Sequence, residues 1–290
     1  MLLPKFDYHE PTTIVEVCQI MAEYGDRARL LAGGTDLIVN MKKNLVAPEQ
    51  VVSLSRVDEL RAIQTQNGCV RIGAGSTVTE LAESETVLSK IGALAVGANN
   101  LGTPLVRNLA TIGGNIGTAR PAADLPPPMM AYGARVVLKN ETGERTVPLS
   151  EYFKGPGMTV MKPDELLTQV LVDVPQAGCG AGYQNLGVRK AQDCNIVNVA
   201  SYIAMDDQGH IGEARIVMGC VGPTHLRSPG AEALLKGEKP GDALFARAGA
   251  AASADAKPIH DFRGSAEYKR AMVGVLAQRT LKTAWEQARQ

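Results

Sequence analysis

Apolar positions recur with helical spacing at Ile14, Val17, Met21 and Tyr24, directly after the capping pattern Thr13-Ile14-Val15-Glu16. Gly25 stops that run, so a helix is predicted from 14 to 24. A short apolar strand follows at Arg29-Leu30-Leu31-Ala32 and ends abruptly in Gly33-Gly34. Val51-Val52-Ser53-Leu54 reads as a second strand. Together these make a small α/β unit.

A second unit begins with the strand and turn Cys69-Val70-Arg71-Ile72-Gly73-Ala74-Gly75 and the capping box Thr77-Val78-Thr79-Glu80. One apolar helix is predicted over about 87–97. The stretch 111–128 is too rich in Gly and Pro for a regular element. Segments 134–138 and 145–149 flank Glu141-Thr142-Gly143 and predict a β-hairpin. The run Gly178-Cys179-Gly180-Ala181-Gly182 reads as a flexible joint between domains. Beyond it, strands are predicted at 196–205 and 211–218 around the turn Asp206-Asp207-Gln208-Gly209, then helices at 242–254 and 266–287. The expected organisation is an N-terminal domain over 1–176, with subdomains of about 1–56 and 57–176, and an α+β domain over 177–290.

Composition narrows the function. Lys+Arg and Asp+Glu both count 30, a zero formal charge that argues against nucleic-acid binding and suits a chain living in a complex. No apolar run reaches about 18 residues, and Met1 to Asp7 lacks a signal peptide's charged start and long apolar run. The expected location is cytoplasmic. The five cysteines contain no Cys-x-x-Cys pair, and the nearest two, Cys179 and Cys194, are fifteen positions apart. That is poor spacing for zinc or an iron–sulfur cluster, so reduced, buried thiols and no metal site are expected. The four histidines, His9, His210, His225 and His260, are scattered and form no metalloprotease motif. No serine-hydrolase elbow occurs. No catalytic residue is assigned.

Two glycine loops carry the candidate chemistry. Ala32-Gly33-Gly34-Thr35-Asp36 follows a strand, where glycines let backbone N–H groups turn toward an anion and Thr35 adds a hydroxyl. Ala110-Thr111-Ile112-Gly113-Gly114-Asn115-Ile116-Gly117-Thr118 repeats the same chemistry. Each is readable as a plain tight turn, but two of them suit two walls around one diphosphate ligand. A P-loop is absent. The dinucleotide fingerprint fails too, because Gly73 and Gly75 are followed by Val78 where a third glycine is needed. Asp124, in the proline-stiffened run Arg120-Pro121-Ala122-Ala123-Asp124-Leu125-Pro126, either accepts a hydrogen bond from a sugar or flavin group or caps the next helix.

In this order, Leu31 to Leu37, Ile72-Gly73-Ala74-Gly75, Arg107 to Asn115 and Pro121-Ala122-Ala123-Asp124 resemble the FAD-binding subunit of the xanthine dehydrogenase and molybdenum carbon monoxide dehydrogenase family. Gly187 to Asp193, Gly222-Pro223-Thr224, Leu226-Arg227, and the end from Phe262-Arg263-Gly264 resemble its C-terminal domain. The resemblance implies an α+β fold: an FAD-binding fold of the vanillyl-alcohol oxidase type with two α/β subdomains, then an α+β domain covering the flavin. It implies non-covalent FAD bound by Leu31, Ala32, Gly33, Gly34, Thr35, Asp36, Thr111, Gly113, Gly114, Asn115, Thr118, Asp124 and Leu167, with the stretch 183–193 near the ring. It further implies a small partner with 2Fe–2S clusters and a large partner with the molybdenum cofactor, as a heterotrimer or a dimer of heterotrimers. Electrons would pass from the clusters through FAD to an external acceptor. The alternative is a self-sufficient FAD oxidase on the same scaffold. A bare nucleotide-binding module is a third reading, which a bound yellow cofactor would exclude. Two positions depart from the family: Arg120 stands where a small residue is common, and Asn185 where Lys is frequent. The Cys-rich insertion of one branch is missing.

Overall fold

A computed structural model describes residues 2–189 and 193–290. The first layer runs β1 (Asp7–His9), α1 (Ile14–Tyr24), β2 (Ala28–Leu31), α2 (Leu37–Lys42) and β3 (Gln50–Ser53), with the strands parallel in the order β1-β3-β2. Both halves of the Thr13/Glu16 capping box form at the start of α1. Its buried face, Ile14, Val17, Cys18 and Met21, packs with Val52, Leu60 and Leu166 in one core. Each large side chain buried there stabilises the layer by about 1.5–3 kcal/mol before entropy is counted.

The second layer holds β4 (Ile63–Gln66), β5 (Cys69–Gly73), α3 (Val78–Glu83), α4 (Glu85–Lys90), α5 (Gly92–Asn100), α6 (Pro104–Arg107), α7 (Ile112–Thr118) and α8 (Pro126–Ala131). It continues through β6 (Arg135–Asn140), β7 (Gly143–Pro148), α9 (Leu149–Tyr152), β8 (Phe153–Gly155), β9 (Met158–Thr159) and β10 (Leu166–Asp173). Its five-stranded antiparallel sheet has the order β4-β5-β10-β6-β7. The predicted hairpin is β6–β7, and Asn140 Oδ1 braces its turn by accepting from the amides of Thr142 and Gly143.

Two expectations change here. The helix expected over 87–97 is split, because Ile91 leaves helical geometry at φ −139° and buries its side chain between α4 and α5. The stretch expected to be irregular contains α7 and α8. Thr111 caps α7 by accepting from Gly114 N, and Pro126 opens α8, where a missing N–H costs nothing. Gly113 sits in α7 because an added Cβ would come within 2.7 Å of Ala74 Cβ.

The C-terminal domain is an antiparallel sheet of β11 (Cys179–Leu186), β12 (Val197–Met205), β13 (Ile211–Gly219) and β14 (Leu226–Arg227). It is covered by α10 (Pro229–Leu235), α11 (Asp242–Asp255) and α12 (Ala266–Ala288). The glycine run expected to be a joint is largely strand β11. An added Cβ at Gly182 would lie 2.5 Å from Thr280 O, and one at Gly180 would run into Ala284 O. These glycines admit the α12 backbone against the sheet. Ser201 and Thr280 share a buried 2.7 Å hydrogen bond across that contact.

Candidate cofactor cleft

The two glycine loops touch. An added Cβ on Gly33 would collide with the Leu109 carbonyl, and one on Gly114 would stand 3.7 Å from Ala32 Cβ. The Thr77–Thr111 bridge and the bond from Val78 N to Ala110 O (2.8 Å) pin the second loop to the strand–helix corner after β5. Between the loops opens a cavity of about 740 Å³. Its walls include Ala32, Gly33, Gly34, Thr35 and Asp36 from the loop after β2, and Thr111, Gly113, Gly114, Asn115 and Thr118 from α7 and its cap. Leu167 of β10 stands on the same wall. Leu31 and Asp124 do not line it. Gly117, within the second glycine loop, does, and so do Arg29, Thr159, Met161 and Lys162, which no candidate motif marked.

The loops contribute unlike chemistry. Among the described hydrogen bonds, the amides of Gly33, Gly34, Thr35 and Asp36 donate to nothing, and Gly34 adopts a left-handed φ of 71°. Successive free amides around such a residue make an anion nest. The second loop differs from expectation. The amide of Ile112 goes to Ser76 O, Gly113 to Ala74 O, Gly114 to Thr111 Oγ1 and Asn115 to Thr111 O. None is free for a phosphate. What α7 offers is a small-residue surface and Asn115 Oδ1, a buried acceptor without a partner.

Charge points the same way. Arg29, Arg120 and Lys162 line the cavity, and no carboxylate pairs with any of them among the described residues. The two carboxylates on the wall are Asp36, which has no ion pair among the described residues, and Glu165. Glu165 is held by Arg145 at 2.7 Å. Its burial alone would raise its pKa, but the Arg145 fork and the Lys162 amide leave it lowered. A chain of zero net charge thus concentrates positive charge at one cleft. Free amides, surplus cations and an orphaned acceptor fit a ligand with a diphosphate and hydroxyl groups.

Asp124 lies behind the cleft, 7% exposed. Its Oδ1 accepts from Tyr183 OH and from Asn195 Nδ2, both at 2.8 Å. Burial raises its pKa despite those donors. Burial, then the Asp124 charge, hold the Tyr183 phenol well above its usual range. Leu125 is the N-cap residue of α8 and no side chain caps it, so Asp124 is not a helix cap. No described residue of 177–290 lines the cavity; Lys190, Ala191 and Gln192, inside the stretch expected near the ring, lie outside the described residues.

Among the described residues, no three His, Cys, Asp or Glu side chains are grouped to hold a metal. All five cysteines are free; Cys18 is buried, but Cys194 is exposed, against the expectation of buried thiols. His225 is buried with neither ring nitrogen partnered, and burial lowers its pKa to about 4, so it stays neutral. Among the described residues, no helix is long and apolar enough to cross a membrane.

Comparison with known proteins fixes the ligand class. Residues 4–176 match the FAD binding domain in molybdopterin dehydrogenase, and residues 183–284 match the CO dehydrogenase flavoprotein C-terminal domain. The carbon monoxide dehydrogenase medium chain of Hydrogenophaga pseudoflava is 35% identical over 98% of this chain and 99% of its own length. That of Afipia carboxidovorans is 33% identical over 100% of both. A solved carbon monoxide dehydrogenase from Hydrogenophaga pseudoflava superposes with a TM-score of 0.94 at 34% identity, covering 99% of each chain. The N-terminal region is an FAD-binding domain, and the fold is the expected one.

Proposed function

The chain belongs to the FAD-binding medium subunits of the carbon monoxide dehydrogenase and xanthine dehydrogenase family of molybdenum hydroxylases, and we propose that it relays electrons from 2Fe–2S clusters of a small partner subunit to an external acceptor. It is an oxidoreductase subunit. The observation that carries the relay reading is a cleft equipped to hold FAD, in a chain similar to carbon monoxide dehydrogenase medium chains. Bound there, FAD supplies a two-electron carrier between donor and acceptor.

The chain's own part is binding and surroundings. The amides of Gly33 to Asp36 take the diphosphate, with Arg120 and Lys162 offsetting its charge. Asn115 Oδ1 accepts from a hydroxyl or ring N–H. Leu31 supports the first loop from behind, Thr118 and Leu167 close the wall, and Asp124 stands behind the cleft. The FAD domain ends near 176 and the second domain begins at 177. A large partner subunit carries the molybdenum cofactor, and the three chains form a heterotrimer, or a dimer of heterotrimers, in the cytoplasm.

Co-expression with candidate small and large subunits tests the relay. One non-covalent FAD per copy of this chain is expected, all released by acid, and the complex's substrate should bleach the flavin anaerobically. A reduced molybdenum partner beside a flavin that stays oxidised would contradict the relay.

A further inference from the structure

Although no described residue of the C-terminal domain lines the cleft, four consecutive residues at the cleft's end each accept a hydrogen bond from that domain. Pro121 O accepts from Cys220 N at 2.8 Å, and Ala122 O from Asn195 Nδ2 at 3.0 Å. Ala123 O accepts from Asn198 Nδ2 at 3.0 Å, and Asp124 Oδ1 from Asn195 and Tyr183. This strap begins directly after Arg120, which lines the cavity.

Asn195 is its hub. It is 3% exposed, and its one Nδ2 group serves both Ala122 O and Asp124 Oδ1. Both partners are acceptors, so the amide has one possible orientation. Its Oδ1 accepts from Asn185 Nδ2 at 2.8 Å, and its main-chain carbonyl from Arg263 Nη1 at 3.4 Å. The hub thus ties the strap to β11 and to the turn that carries Phe262-Arg263-Gly264.

Backbone strain sits on both sides of the strap. Ala119, between α7 and Arg120, has φ 50°, and Cys220, which donates to Pro121, has φ 65°. Non-glycine residues in the left-handed region persist only where their surroundings hold them. Release of the strap would let the end of α7, and Arg120 with it, relax.

We infer that Asn195 is a positioning residue for the FAD cleft: it holds residues 122 and 124, and through them the cleft wall at Arg120, in their binding arrangement. The inference rests on the FAD reading of the cleft. Three variants test it. Asn195→Ala removes both donors. Asn195→Asp keeps the shape but turns an acceptor toward two acceptors. Phe245→Leu loosens the fully buried core of the C-terminal domain without touching the strap. The readouts are the dissociation constant for FAD, the visible spectrum of bound flavin, and Tm. Asn195→Ala should weaken FAD about tenfold or more and alter the flavin bands, and Asn195→Asp should do more. Phe245→Leu should lower Tm while affinity and bands stay parental. Parental affinity and bands in both Asn195 variants would overturn the inference, as would an equal loss in Phe245→Leu. If neither Asn195 variant folds, Asn185→Ala, which spares both strap bonds but frees the hub's Oδ1, should show a smaller loss of affinity; parental affinity there overturns it. A parent chain that takes up no FAD would instead sink the reading of the cleft.

Discussion

Asp124 is a carboxylate buried where an asparagine would accept the same two hydrogen bonds, from Tyr183 and Asn195. Burial raises its pKa above the unfolded value, with no cation among its partners. The folded chain therefore binds this proton more tightly than the unfolded chain does. Stability from this group is fully present below the unfolded carboxylate pKa and falls as pH rises through the folded one. Asp124→Asn removes that dependence. The variant should match the parent near pH 3.5 and exceed it in urea unfolding at pH 7, the gap opening from about pH 4 upward. A parent at least as stable at pH 7 would mean that the donors outweigh burial. The sequence marked Asp124 by its proline-rich setting, and the resemblance put Tyr183 near the ring, but nothing marked the second donor, Asn195, 71 positions away.

The helix α7 shows how far local signals reach. Thr111 and the paired glycines identified the segment, and the cap forms as such residues favour. Yet Gly and Pro density suggested an irregular loop, because what makes glycine useful here is non-local: Ala74, just after β5, lies against Gly113. The same limit governs β11, whose glycines answer to a helix about a hundred residues later, and Ile91, whose burial breaks a continuous helical pattern. Capping boxes and the two hairpins, being short-range, were legible. Within α7, Gly117 differs from its neighbours: it lines the cleft, and an added Cβ there meets nothing within 4 Å. Gly117→Leu should therefore leave the fold intact and even favour the helix by up to about 1 kcal/mol. It should project bulk into the cleft and weaken FAD by at least about tenfold, or about 1.4 kcal/mol. Equilibrium dialysis with FAD, beside a thermal melt, checks both. Undiminished FAD binding by a folded variant would remove this face of α7 from the site. Gly33→Val is a poorer probe, since its side chain would collide with Leu109 and part the loops themselves.

At the scale of the whole molecule, the parts one chain contains bound what it can do. Three cores are joined: one around α1, one around the five-stranded sheet, and one beneath α11 and α12. The first two enclose the cleft, and the third grips its end through residues 121–124. Hydroxylating a substrate with water calls for a metal centre that lowers the barrier to oxygen transfer. Among the described residues, no metal ligand group is found, and a cavity of about 740 Å³ lies between the two glycine loops. On the proposed relay, FAD in the cleft takes its electrons from another chain, and one edge of the cleft faces that chain's cluster. The isolated protein should therefore take up FAD and reduce dyes slowly, if at all, with NADH. It should not oxidise purines, aldehydes, N-heterocycles or carbon monoxide. Steady-state assays of the FAD-loaded single chain against these four classes, beside the co-expressed assembly, make the comparison. Turnover by the lone chain at roughly 1 per second or faster would be an enzyme's rate. That result would replace the relay subunit with a self-sufficient oxidase, and the base for it would have to be sought over the cleft, among residues such as Lys162 and Asp36, whose charges no ion pair among the described residues occupies.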